Sequence, residues 1–384
     1  MTGRWVLQAG TLLLPAGAVG PGFLVIEGEH IARVEEGVHP SPDLSYPDST
    51  VVPGFVDLQI NGAAGCDFLL PTAEGLAAAE AHLAGTATVA YLPTLISAPE
   101  DRLRAALGFF AERMAARDRP GAPRILGVHL EGPFLSPERP GAHRPEHLRT
   151  PSVEWIGRLV EDFRGLIRIV TLAPELDGSL EVTRYLASEG IVSAVGHTNA
   201  TFAEATAAFD AGACLATHLF NAMPPYHHRE PGVVGAALAD RRVTCSVVAD
   251  LVHVHPAVLV QVAALKGWER TALVTDAIAA AGAAQARVTL GDQTVTVTDG
   301  APRLAGGTLA GSILGMDRAV QNMAGAVGAW DTAVRMGSTT PARLLGLEQG
   351  ELRVGLRADL VILSEDQAVS AVVVGGSVVG PGGA

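Results

Sequence analysis

The chain has 384 residues, 48% hydrophobic and only 17% charged, enough apolar material for one large core and a smaller one, which excludes a disordered protein. Its formal net charge of −13 excludes nucleic acid as the main partner, because neutralising phosphates needs clustered Lys and Arg, and any anionic ligand must be held by a local cluster. Cys66, Cys214 and Cys245 are widely spaced and odd in number, which fits neither a disulfide framework nor a zinc knuckle; a reducing cytoplasm is the expected location.

The first 50 residues read as short strand pieces separated by Gly and Pro. Trp5 to Ile26 carries no charge and follows Arg4, but Gly10, Pro15, Gly17, Gly20, Pro21 and Gly22 interrupt it too often for a signal peptide or membrane helix, so no membrane partner is expected. From residue 51 onward, β-branched apolar runs alternate with Ala-rich stretches. Strands are predicted at 51–60, 86–93, 124–131, 167–172, 191–197, 213–218, 243–250 and 271–276, and helices at 74–84, 99–117, 178–190, 201–211 and 256–266. Eight such units spell a (β/α)8 TIM-like barrel. Residues 286–304 read as a hairpin inserted after the eighth strand. Short strand-like pieces return near the end, so 1–50 and 349–384 are expected to form one small β-sandwich domain flanking a barrel at 51–348.

In a barrel, the carboxyl ends of the strands converge on one mouth. The first strand ends in Gln59 and Asn61, the third ("GVHLEGPF") in His129 and Glu131, and the fifth ("AVGHT") in His197. The sixth ("ATHLFNAMP") ends in His218 and Asn221, the seventh ("VVADLVH") in Asp250 and His253, and the eighth ("LVTDA") in Asp276. One carboxylate and two neutral imidazoles, Glu131, His197 and His218, make a catalytic metal site of the His2Glu type with an open position for water. Asp276 is a separate carboxylate able to take a proton and pass it to a leaving group.

Each residue also has a plainer reading. A lone strand-end histidine is more often a hydrogen-bonded core residue than a ligand, and an aspartate after a strand is often the N-cap of the next helix. Three strands ending this way, with Asp276 beside them, outweigh those readings. His129 is expected to pack or to support a ligand. Cys214 and Cys245 are expected in the core, and Cys66 lies in a Gly-rich loop where exposure is possible. Two Pro-bounded loops, "SPERPGAHRPEHL" (136–148) and "MPPYHHREPG" (223–232), overhang the mouth. They bring His143 and Arg229, the latter either a solvated surface charge or a clamp for phosphate or carboxylate. "LAGGTLAGS" (304–312) offers backbone amides before a helix expected near Ser312.

Taken in order, "PGFVDLQINGAAG", "GVHLEGPFLSPERPGAH", "AVGHTNA", "THLFNAMPPYHHREPG", "ADLVH", "VTDA", "GTLAGS" and the terminal "GLRADLVIL" resemble the N-acetylglucosamine-6-phosphate deacetylases of the amidohydrolase superfamily, over nearly the whole chain. The resemblance implies a hydrolase that removes acetate from N-acetyl-D-glucosamine 6-phosphate through a divalent metal held by Glu131, His197 and His218, with Asp276 as general base and then acid. It implies substrate contacts from Ala142, His143, Asn221, Ala222, Arg229, His253, Leu309, Ala310 and Gly311. It also implies a homodimer in which Arg229 reaches the neighbouring subunit's site. The same chemistry on N-acetylgalactosamine 6-phosphate, and a non-catalytic sugar-phosphate sensor on the barrel, are the competing readings. Many amidohydrolases place a His-x-His pair where this chain has Gln59 and Asn61, and neutral amides are poor substitutes as ligands, so one metal is expected, with zinc favoured over Fe, Mn or Co. The only lysine, Lys266, falls in a predicted helix, away from the fourth-strand end where a bridging carboxylated lysine would sit. His143 and His253 are both candidates for polarising the substrate carbonyl.

Overall fold

A computed structural model describes residues 3–116 and 121–379. Residue 117 of the predicted helix 99–117, and residues 1–2 and 380–384 of the two terminal segments, lie outside the described residues. Eight parallel strands, Phe55–Ile60, Thr88–Ile96, Val128–Glu131, Ile167–Leu172, Val192–Val195, Leu215–Ala216, Thr244–Val248 and Thr271–Val274, pair in sequence order. The ring closes between the last and the first: the Asp276 amide donates to the Gln59 carbonyl at 2.8 Å, and the Asn61 amide to the Ala277 carbonyl at 2.7 Å. That closure sets the ends of strands one and eight side by side at the mouth.

Strands buried on both faces must be continuously apolar, and Thr88–Ile96 is buried at every position. The covering helices begin where capping residues stand. Thr72 caps Ala73–Gly85, and Thr201 makes a reciprocal capping box with Glu204 at the start of Phe202–Asp210. Lys266 closes the helix Pro256–Lys266, with its ammonium on the carbonyls of Ala237 and Asp240. Among the described residues no helix is long and apolar enough to cross a membrane.

The two ends of the chain share one mixed sheet. Arg4–Leu14 pairs in parallel with Leu44–Pro53, which pairs antiparallel with Leu360–Leu363 from the far end of the chain. Trp5, Leu7, Leu24, Ile26, Leu360 and Val373 pack in a separate core beneath it. After the eighth barrel strand comes a three-stranded antiparallel sheet, Arg287–Leu290, Gln293–Thr298 and Ala301–Arg303, one strand more than the expected hairpin. It is tied to the first barrel loop by Asp67, whose carboxylate accepts the amides of Leu69 at 2.9 Å and Gly291 at 2.7 Å. Cys66, beside it, is buried rather than exposed, as is Cys245, and Cys214 is half-buried.

Candidate active site and metal centre

Glu131 closes the third barrel strand, and its Oε1 lies 3.2 Å from His197 Nε2 and 3.0 Å from His218 Nε2. The two Nε2 atoms are 3.0 Å apart, and all three side chains are buried. Both histidines sit just past their strands with positive φ, +47° for His197 and +29° for His218. A left-handed backbone costs a residue with a Cβ roughly 1–2 kcal/mol, and such strain persists only where the surroundings impose it. Here His197 Nδ1 donates to the Arg139 carbonyl at 3.1 Å, which leaves the Nε2 lone pair aimed inward. Gly141 makes room for that ring, because a Cβ there would stand 2.8 Å from His197 Cε1.

Burial alone would raise the Glu131 carboxyl, but the imidazoles of His143, His197 and His218 around it hold it well below the usual carboxylate range. The two imidazoles facing it move in opposite directions. Burial lowers His197, whereas at His218 burial is outweighed by the adjacent Glu131 carboxylate, which raises it. Two rings compete for one oxygen and one proton. A cation would satisfy all three converging donor atoms at once, and a carboxylate with two imidazoles is a donor set that divalent metals accept.

Glu131, His143 and His197 form a second possible ligand group, with donor atoms within 4.8 Å of one another. The geometry favours His218 over His143 as the third member. The Ser97 backbone amide donates to His143 Nδ1 at 3.2 Å, so the ring proton sits on Nε2, 3.7 Å from Glu131 Oε2. A ring fixed as an Nε2–H donor is suited to a developing negative charge rather than to a metal.

Gln59 and Asn61 turn their amides to carboxylates. Gln59 Nε2 donates to Glu131 Oε1 at 2.8 Å and to Asp276 Oδ1 at 3.2 Å, and Asn61 Nδ2 donates to the same Asp276 oxygen at 2.8 Å. The two amides hold a pair of like charges in place. Burial, and then the nearby Glu131 charge, push the Asp276 carboxyl up to about 6. Asp276 caps no helix, because the next one begins at Met316, beyond the start expected near Ser312. Its own φ is +49°, and Gly311 must lack a side chain here, since a Cβ would meet the Asp276 carbonyl oxygen at 2.6 Å.

A cavity of about 550 Å³ opens above these groups. Of the expected substrate contacts, Ala142, His143, Asn221, Ala222, His253, Leu309 and Gly311 line it. Ala310 does not line it, because its side chain is fully buried in the hydrophobic core. Arg229 also stands outside its own chain's cavity, on an exposed loop with Nη1 2.9 Å from His228 Nε2. His253 is held by Asp250, which contacts Nδ1 at 2.6 Å and accepts the backbone amide of His253 at 2.8 Å. His129 is a packing residue between the Leu58 carbonyl, 3.1 Å from Nδ1, and the Thr171 hydroxyl, 2.7 Å from Nε2, and burial lowers it to about 4. Arg139 and Arg303 also line the mouth. Arg139 belongs to the loop 136–148 expected to overhang the mouth, whereas nothing in the sequence around Arg303 marks it.

The amidohydrolase family model matches residues 50–379. N-acetylglucosamine-6-phosphate deacetylase of Bacillus subtilis is 38% identical over 85% of this chain and 84% of its own length. N-acetylgalactosamine-6-phosphate deacetylase of Escherichia coli O157:H7 is 38% identical over 93% and 94%. Among solved structures, an Asp-to-Ala variant of N-acetyl-D-glucosamine-6-phosphate deacetylase from Mycobacterium smegmatis, in complex with N-acetyl-D-glucosamine-6-phosphate, superposes with a TM-score of 0.94 at 38% identity, covering 99% of this chain and 100% of that one.

Proposed function

The chain belongs to the amidohydrolase family, and we propose that within it this protein hydrolyses N-acetyl-D-glucosamine 6-phosphate to D-glucosamine 6-phosphate and acetate. The observation that carries the reading is the Asp276 carboxylate held by two amides beside the convergent donors of Glu131, His197 and His218. Those three residues would hold one divalent ion, zinc before iron, manganese or cobalt. When bound, such an ion polarises a carbonyl and lowers the pKa of water from 15.7 to about 7.

The chain's own groups account for the rest. Asp276 Oδ1 is taken by Gln59 and Asn61, so Oδ2 is the oxygen free to accept a proton from the attacking water. As oxygen bonds to the acetamide carbon, His143 Nε2–H donates to the carbonyl oxygen, which gains negative charge; its Nδ1 cannot do so, being the acceptor of the Ser97 amide. Asp276 then returns its proton to the departing nitrogen, the C–N bond breaks, and acetate and amine are the products. His253, oriented by Asp250 through Nδ1, lines the same cavity and has its Nε2 left for a polar group of the substrate. Arg229, outside its own cavity, fits the role of reaching a second subunit's ligand in a homodimer, and an arginine there would offset the acidic charge of the protein. Three free cysteines, two of them buried, support a reducing, cytoplasmic setting.

The test is acetate release by the metal-loaded protein from N-acetylglucosamine 6-phosphate and from its 4-epimer, N-acetylgalactosamine 6-phosphate, in parallel. The relative from E. coli O157:H7 bears the second sugar's name, so a higher kcat/KM on the 4-epimer would move the assignment to that substrate. Tight binding of both sugars without acetate release would make the barrel a sensor and end the catalytic reading.

A further inference from the structure

Asp276 has an unusual footing. Its φ of +49° is a conformation that L-residues avoid, yet the carboxylate must stay within reach of the Gln59 and Asn61 amides. Its backbone is pinned on both sides: the Asp276 amide donates to Gln59 O at 2.8 Å, and the Ser312 amide donates to Asp276 O at 2.8 Å. The residue before it is pinned too. Thr275 Oγ1 donates to Asp57 Oδ2 at 2.5 Å, the Thr275 amide donates to Asp57 Oδ1 at 3.2 Å, and the Ala277 amide donates back to Thr275 Oγ1 at 3.1 Å.

Asp57 lies two residues before Gln59 on the first barrel strand, and its Oδ1 also accepts the Gln59 amide at 3.2 Å. It is completely buried, and no cation stands within ion-pair distance among the described residues. Burial pushes its carboxyl up to about 7. A carboxylate in such a place is costly unless its hydrogen bonds are needed, and this one takes donors from strand one and strand eight together.

We propose that Asp57 and Thr275 are positioning residues of the reaction: their contact staples the ends of strands one and eight, and so fixes the strained backbone that aims the Asp276 carboxylate at its amide seat. Neither touches the cavity. Thr275 ties the first strand to its own turn, because one hydroxyl donates to Asp57 and accepts from Ala277. The inference rests on the proposed role of Asp276 as the proton carrier. It does not depend on which phosphorylated amino sugar is turned over.

The experiment compares Thr275→Val, which keeps the shape and removes the hydroxyl, with Thr275→Ser, which keeps the hydroxyl, in metal-loaded protein below the melting transition. A misplaced general base loses rate rather than affinity, so Thr275→Val should lower kcat by roughly tenfold to a hundredfold while KM and bound metal per chain stay within about twofold. Thr275→Ser should recover most of that loss. Asp57→Ala should show the same kcat-specific defect, and the double variant should be no slower than the slower single, as expected of two residues acting as one unit. A purely structural role would lower Tm and leave kcat per folded, metal-loaded chain untouched. That outcome overturns the inference, as does equal loss in Thr275→Ser and Thr275→Val. If Asp57→Ala fails to fold, the threonine pair decides alone. Failure of wild type to release acetate is a separate result that removes the proposed function itself.

Discussion

The reaction depends on a carboxylate that is basic enough to take a proton and still ionised at neutral pH, and Asp276 owes both properties to its surroundings. Burial and the Glu131 charge raise it to about 6, while the nearby His218 and His253 and then the Asn61 amide, donating at 2.8 Å, pull it back toward the ionised form. Asp276→Asn should therefore lower kcat by more than about a hundredfold with metal content unchanged, as measured by acetate release against metal analysis of the same sample. The pH dependence has a definite sign. The working form is the ionised one, so kcat/KM should fall as pH drops through about 6. Asn61→Ala removes a donor that favours the charged carboxylate, and its acid limb should lie at higher pH than in wild type. An unmoved limb would mean that Asn61 does not set the proton affinity of the base. His143→Ala should lower kcat and spare the metal, because the Ser97 amide leaves that ring a hydrogen-bond donor; loss of metal from this variant would instead place His143 among the ligands.

At the level of strands and helices, what could be read from the sequence is what has a period or a cap. The barrel strands overlap the predicted apolar runs, though they shrink to as few as two residues at Leu215–Ala216, and the five predicted helices reappear within two residues of their expected ends where those ends are described. Gly232–Ala239 was not anticipated because it has no polar face: six of its eight residues are buried, so no 3.6-residue alternation shows. Val153–Asp162 carries both a cap, Ser152, and an apolar side of Trp155, Ile156, Leu159 and Val160, and so is a helix that the sequence pattern contains. The strand-end residues could be picked out because chemistry concentrates at one rim; what Gln59 and Asn61 do could not, because their bonds to Glu131 and Asp276 join residues 72 and more positions apart. The inserted sheet shows how such long-range bonds act on stability. Asp67 alone accepts from both Leu69 and Gly291, and Asp67→Ala would leave two buried amides without that acceptor, at a cost of about 2–3 kcal/mol in urea unfolding. Burial also raises the Asp67 carboxyl from 3.8 to about 6, so the unfolded chain gives up this proton first. Its contribution favours the folded state below the lower value and is lost as pH rises through the upper one, and Asp67→Ala should lack that slope between about pH 4 and 6.

For the whole molecule, the central problem is how a chain of net charge −13 accepts a phosphorylated sugar beside two buried carboxylates. Within one chain the mouth is lined by Arg139 and Arg303, and neither has a carboxylate within ion-pair distance among the described residues. Arg229, which the family resemblance expects to reach the neighbouring subunit's site, stands apart on an exposed loop that also carries exposed Tyr226. Those positions make sense if Arg229 works in trans, and complementation between two damaged subunits separates that from a role in its own site. A chain with Arg229→Ala keeps its proton carrier and lacks only the arginine that its partner would lend. A chain with Asp276→Asn keeps the arginine and lacks the carrier. Each homodimer should be nearly inactive, but after denaturation and refolding of an equal mixture half the dimers pair one chain of each kind, and one of their two sites holds both intact groups. Recovery should approach about a quarter of wild-type activity, which is the value symmetry gives for an isologous pair. If Arg229 serves its own chain, no mixed site is whole and the mixture stays as inactive as its parents. Sedimentation of the same refolded sample shows whether the chains have paired, so a silent mixture of monomers is not mistaken for that result.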